Sequence, residues 1–235
     1  MKKILAAIAI VAIVVIGAGL WLRGNVDDLV KAGIEKYASE MTGARVSVSS
    51  VEIRAADGKG FIRGLTIGNP AGFKTAHALK VGEIEVAIDL ATIASDAVVI
   101  RRIAVASPDV IYEKGEGLTN FDALQRNIAS YRGSSEKSGK KEGGKKLIVE
   151  QFVIRDAKAQ ASAAFMEGKT VRVPLPDISL RDIGKAKGGV TPGVLGQTIA
   201  EALKQRLANA VSFERLMNSK VVEDAAKTVK GLFGK

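Results

Sequence analysis

Between residues 46 and 181 the apolar residues recur mostly at every second position, in segments near 46–53, 61–67, 79–90, 98–113, 147–155, 157–166 and 170–181. A strand points successive side chains to opposite faces, so this period predicts a β-rich region. Glu83, Glu85 and Asp89 alternate with Ile84, Val86, Ile88 and Leu90. That alternation predicts a sheet wet on one face and apolar on the other.

The period slips in a repeated way. Apolar, two spacers, apolar, one spacer, apolar occurs at Val48/Val51/Ile53, Ile62/Leu65/Ile67, Val81/Ile84/Val86, Ile100/Ile103/Val105, Val149/Phe152/Ile154 and Leu175/Ile178/Leu180. A one-residue slip sends the apolar set into water unless a bulge absorbs it, and repeated bulges predict a curved sheet. In VRVPLPDISLRDIG, Pro174 and Pro176 lie at the slip. Proline cannot donate to a ladder, which places this last strand at an edge.

Helical periods flank the strands. Val26, Leu29, Val30, Ile34, Tyr37 and Met41 share one face of a helix over about 26–41. A short helix is expected over 121–131, capped by Thr119 or Asn120, and another over 194–213, where Leu195, Ile199, Leu203, Leu207 and Val211 repeat every four residues. A last amphipathic segment, ERLMNSKVVEDAAKTVKGLFGK, ends the chain; it suits packing on the domain's apolar face or contact with a membrane surface. These helices are the candidates to cover the sheet. Partial cover leaves an apolar groove, and full cover makes an ordinary core.

Ile4 to Leu22 contains no charged residue. At helical rise it spans about 28 Å, close to the hydrocarbon thickness of a bilayer. Ile4, Ile8, Val11, Val15, Leu20 and Trp21 are the expected anchor residues, with Trp21 at the interface. A signal peptide cleaved after Gly19 is the competing reading. Lys2 and Lys3 predict an N-terminus inside and the bulk of the chain outside, which in a bacterium is the periplasm. The expected domains are an anchor at 1–24, a sheet domain at 25–185 and C-terminal amphipathic helices at 190–235.

Composition changes this picture little. The 235 residues include no cysteine, which excludes a disulfide framework and thiolate chemistry, and the net charge is +10. That charge is spread over helix faces and GSSEKSGKKEGGKK, 133–146, read as a disordered basic loop. Its GKKEGGKK misses the phosphate-loop pattern because Lys146 stands where a hydroxyl residue is needed. Charge in a loop without interleaved aromatics argues against nucleic acid. The one histidine, His77, sits in the polar loop KTAHALK and is expected to be exposed. The sequence offers no catalytic signature, metal-ligand spacing or cofactor motif. The expected protein is not an enzyme.

The runs TGARVSVSSVEIR, GFIRGLTIGNPAGF, LKVGEIEVAIDL, IRRIAVASPDVIYE, GLTNFDAL and VPLPDISLRDIG together resemble the AsmA-like family of bacterial envelope proteins, over roughly residues 1–185. The resemblance implies an inner-membrane anchor and a periplasmic sheet curled into a groove. Larger members such as TamB and YhdP are thought to conduct phospholipid across the envelope. Seven strands make about 34 Å of sheet, too little to bridge a periplasm alone.

The expected fold is α+β: a transmembrane helix, then a curved antiparallel sheet with an apolar concave face and flanking amphipathic helices. The expected function is phospholipid acyl-chain binding or passage, with Val51, Ile53, Leu65, Ile84, Val86, Ile88, Ile103, Val105, Phe152 and Ile154 lining the groove. The expected partners are phospholipid, the inner membrane and envelope proteins. The alternatives are a scaffold or accessory subunit that works through a sheet edge, and an unrecognised envelope hydrolase.

Overall fold

The computed structural model describes residues 26–137 and 145–211. Helix α1 (Val26–Thr42) leads into strands β1 (Val46–Ser47), β2 (Ser50–Arg54), β3 (Lys59–Ile67), β4 (Leu79–Ile88), β5 (Ala97–Ala106) and β6 (Asp109–Lys114). Helix α2 (Asn120–Lys137) follows. Strands β7 (Lys146–Arg155), β8 (Lys158–Ala163), β9 (Val171–Val173) and β10 (Ile178–Ile183) complete one sheet, and helix α3 (Pro192–Ala210) follows it. The protein is α+β. Among the described residues no helix is long and apolar enough to cross a membrane. The apolar run at 4–22 and the last amphipathic segment lie outside those residues.

The seven apolar segments become ten strands because the long ones break. β5 passes into β6 at Ser107 and Pro108, and β7 passes into β8 at Asp156; Ser107 and Asp156 both adopt positive φ, 46° and 53°. Pro174 and Pro176 lie between β9 and β10. The halves stay aligned. β5 and β6 pair with β7 and β8, which pair in turn with β10 and β9. The sheet is therefore six lanes wide, with the proline-bearing lane at one edge, as the prolines require.

The sheet is mixed rather than antiparallel. β5 runs parallel to β7, and β6 parallel to β8. A parallel neighbour needs a crossover, and α2 supplies it between β6 and β7. The expected short helix and basic loop divide differently as well, since α2 continues to Lys137 and β7 begins at Lys146.

The slips in the apolar period are absorbed in different ways rather than by repeated bulges: Val48/Val51 falls at the break between β1 and β2, Leu175/Ile178 at that between β9 and β10, and the slip in β5 is a register shift. Ile100 and Ile103, three residues apart, are both fully buried. The register against β4 shifts between Ala87 and Ile88, and Arg101 is the extra residue, turned outward to pair with Asp89 at 3.0 Å. β7 and β10 carry the slip in step, as Phe152 faces Leu180 and Val149 faces Ile183. In β3 the slip falls at Gly64, with φ 63°. A Cβ there would lie 2.1 Å from Ser49 Oγ, so the close approach of the first two lanes requires glycine.

The first lane's outer edge is closed by α1. Asp27, Lys31, Glu35 and Ser39 recur every four residues along the helix. The amide of Ile53 donates to Asp27 Oδ1 at 3.1 Å and that of Val48 to Glu35 Oε1 at 2.8 Å. Val46 donates to Ser39 Oγ at 2.9 Å, and Lys31 Nζ donates to the carbonyl of Ser49 at 3.2 Å. One polar stripe thus takes the place of a neighbouring strand. Glu35→Ala is expected to cost about 1–2 kcal/mol in urea denaturation by orphaning the Val48 amide. The combined Asp27→Ala, Glu35→Ala chain is expected to self-associate more than the parent in sedimentation.

Candidate functional site

The strongest candidate is the inner face of the sheet. Val51, Ile62, Ile84, Val105, Ile154 and Ile178 are successive partners across all six lanes. Val86, Ile103, Phe152 and Leu180 form a second row, and Ile88, Ile100, Val149 and Ile183 a third. The slips keep these rows on one face. The ten residues expected to line a groove lie on that face, and Leu65 pairs with Val81 farther along it.

In this structure the face is covered. Val51, Leu65, Ile84, Val86, Ile88, Ile103, Val105, Phe152 and Ile154 are all buried, and Ile53 is partly buried. They share one apolar cluster with Val30, Ile34 and Met41 of α1, Phe121, Leu124 and Ile128 of α2, and Leu195, Ile199, Leu203 and Leu207 of α3. The expectation of an accessible groove gives way to the alternative of a covered face. Three amphipathic helices together present enough apolar surface to close it. α3 lies against β7 and β10 at the far side.

The outer face is wet and charged. Arg63 donates to Glu52 at 2.8 Å and Glu83 at 2.9 Å, and its guanidinium lies 5.3 Å from the centre of the Phe61 ring. Arg63 and then Arg54, by hydrogen bonding, hold the Glu52 carboxyl below its ordinary range. These partners are exposed, so the ladder contributes little stability and mainly keeps the face hydrated.

A buried polar network fastens the loop between β3 and β4. The Glu113 carboxylate, 1% exposed, accepts from the amides of Lys74 and Thr75 at 2.8 and 2.9 Å and from Thr75 Oγ1 at 2.6 Å. Its own amide donates to Asn120 Oδ1 at 3.0 Å. Asn120 Nδ2 donates to Asn69 Oδ1 and the Ile111 carbonyl, each at 2.8 Å, and Asn69 Nδ2 donates to the Thr75 carbonyl at 2.8 Å. Thr119 and Asp122 exchange the bonds of a capping box where α2 begins. Sequence reasoning missed Glu113, Asn69 and Asn120 as a unit. Their signal was the pair of short polar runs GNPAGF and GLTNF, separated by about 50 residues.

His77 is buried at 5% exposure rather than exposed, because its loop is drawn under this network. Among the described residues neither ring nitrogen has a hydrogen-bond partner; Nε2 lies 3.5 Å from Asp109 Oδ2. Burial pushes the imidazole pKa down, against the opposing pull of Asp109, and Lys80 adds to the lowering. The sign follows from linkage: as pH falls through the unfolded value near 6.5, the unfolded chain takes up a proton that the folded chain refuses. Stability is present above that pH and lost below it. His77 is the only histidine in the chain, so the melting temperature should fall between pH 7.5 and 5.5 in the parent and fall less in His77→Phe, as read by circular dichroism at each pH.

Among the described residues no group of three His, Cys, Asp or Glu side chains could hold a metal. No protein-family model matches the chain, and the search of curated proteins finds no significant relative.

Proposed function

We propose that this chain is a non-enzymatic, membrane-anchored envelope protein that shelters phospholipid acyl chains between its sheet and its helical cover. The resemblance to AsmA-like proteins and the uncharged run at 4–22 support an inner-membrane anchor with the bulk of the chain in the periplasm. The observation that carries the reading is the continuous apolar face, six lanes wide, covered by helices rather than by a second sheet.

α3 is the natural movable part. It follows the last strand, so its displacement breaks no ladder, and its start is fixed by the Val190 bridge to Leu147 and the Thr191 cap. Leaving the sheet would expose apolar residues on β7 and β10, a surface that acyl chains match.

Strand addition, the scaffold alternative, is the poorer reading. α1 closes one edge, and the other carries two prolines and a left-handed Asp182 at φ 52°. Both are devices that keep strands from pairing.

The test is native mass spectrometry with lipid extraction, on the parent and on Ile199→Ala, Leu203→Ala, which loosens α3. Bound phospholipid that increases in the loosened chain supports the reading. Two folded, lipid-free proteins overturn it.

A further inference from the structure

A second place offers both a polar mouth and an apolar back. Where β9 and β10 part, the segment from Val173 to Leu175 runs alongside Ala157 to Gln160, and the two line a cavity of about 450 Å³. Ala159 and Leu175 belong to the core, and Val173 packs against it. The opposite wall is polar. Lys158 and Gln160, two residues apart, share the outer face, and Arg172 is Gln160's partner across β9. The cavity therefore runs from hydrated charge to the edge of the apolar core, at the one seam where the sheet's last lane is broken.

The charge at the mouth is uneven. Asp109 also lines the cavity, but its Oδ1 accepts from Gln160 Nε2 at 2.9 Å, and Oδ2 faces His77. Gln160 Oε1 in turn accepts from Thr170 Oγ1 at 2.6 Å. Lys158 and Arg172 are exposed, and among the described residues neither side chain forms an ion pair or hydrogen bond. Lys158 and Arg172 outnumber the one carboxylate of the lining, Asp109, so the entrance keeps a net positive charge, and apolar side chains stand at the back. A molecule that matches both has an acidic head and an apolar tail.

We propose that this seam is a binding site for an anionic amphiphile, with its phosphate or carboxylate head at Lys158 and Arg172 and its acyl end against Leu175. The site shares a ligand class with the function proposed above but not a place, and it does not require α3 to move. Guanidinium geometry suits a two-oxygen acidic head, which makes Arg172 the more selective contact of the two.

The experiment is photolabelling of the full chain in neutral detergent with a diazirine-bearing palmitate, followed by peptide mass spectrometry. Label is expected within 157–160 or 172–176, and Lys158→Glu, Arg172→Glu should reduce it about tenfold. Both side chains are exposed and unpaired, so the variant is expected to keep the parent's circular dichroism. An excess of inorganic phosphate should leave the labelling in place. Label that survives charge reversal, or that phosphate alone abolishes, overturns the proposal. Label confined to residues 84–88, 152–154 or 178 also overturns it, while supporting acyl chains under the helical cover.

Discussion

The Ile84→Asp chain is expected to lose its cooperative unfolding transition. Ile84 is fully buried at the centre of the longest apolar row, with Ile62 on one side and Val105 on the other. Truncating such a side chain costs about 2–5 kcal/mol through lost burial and the cavity left behind. The carboxylate adds the cost of an unpaired charge in an apolar surrounding, which brings the total to the order of a whole domain's stability of about 5–15 kcal/mol. Far-ultraviolet circular dichroism and urea titration would show it directly.

The same substitution separates the two readings of the inner face. A folded Ile84→Asp protein would mean that this part of the face meets water, as in an open groove. Ile53, partly buried at the end of the first lane, should tolerate aspartate better than Ile84 does. Any lipid test therefore belongs on the cover, at Ile199 and Leu203, where a change weakens α3 without placing charge inside the sheet.

The apolar period carried most of this architecture. Strand positions, the wet outer face and the edge position of the proline lane all follow from which residues alternate, because alternation is local and a sheet buries it directly. The slips were legible for the same reason, but not their form: Ile100/Ile103 marks a bulge against β4, whereas Val149/Phe152 keeps its register with both neighbouring strands. The parallel pairing was not legible, since direction depends on how α2 carries the chain from β6 to β7, and no spacing within either strand records that path. Glu113 was equally silent. Its partners Lys74 and Thr75 lie about 40 residues away in sequence, and the second of two acidic residues in the strand DVIYEK looks like any exposed charge until the loop folds over it. His77 was misplaced by the same long-range closure. Cover of the inner face depended on three separated helices meeting one sheet, and each helix by itself was equally consistent with partial cover.

Glu113→Ala is the second substitution expected to have a large effect, although it removes no apolar surface. It leaves the Lys74 amide, the Thr75 amide and the Thr75 hydroxyl without their acceptor, in a place where Thr75 is 7% exposed. Unsatisfied buried donors cost about 1–3 kcal/mol each, and partial hydration of the loop lowers the sum to about 4 kcal/mol. At roughly 2–4 °C per kcal/mol for a protein of this size, the melting temperature should drop by about 10 °C. Glu113→Gln retains one acceptor oxygen but turns an amide group toward the remaining donors, so its loss should be intermediate. That ordering, alanine worse than glutamine, distinguishes a carboxylate clamp from simple packing, where the isosteric change would be harmless. Because the clamp also holds the loop that buries His77, Glu113→Ala should weaken the pH dependence assigned to that residue. A full pH dependence in a destabilised Glu113→Ala chain would mean that β4 and β6, rather than the loop network, keep His77 from water.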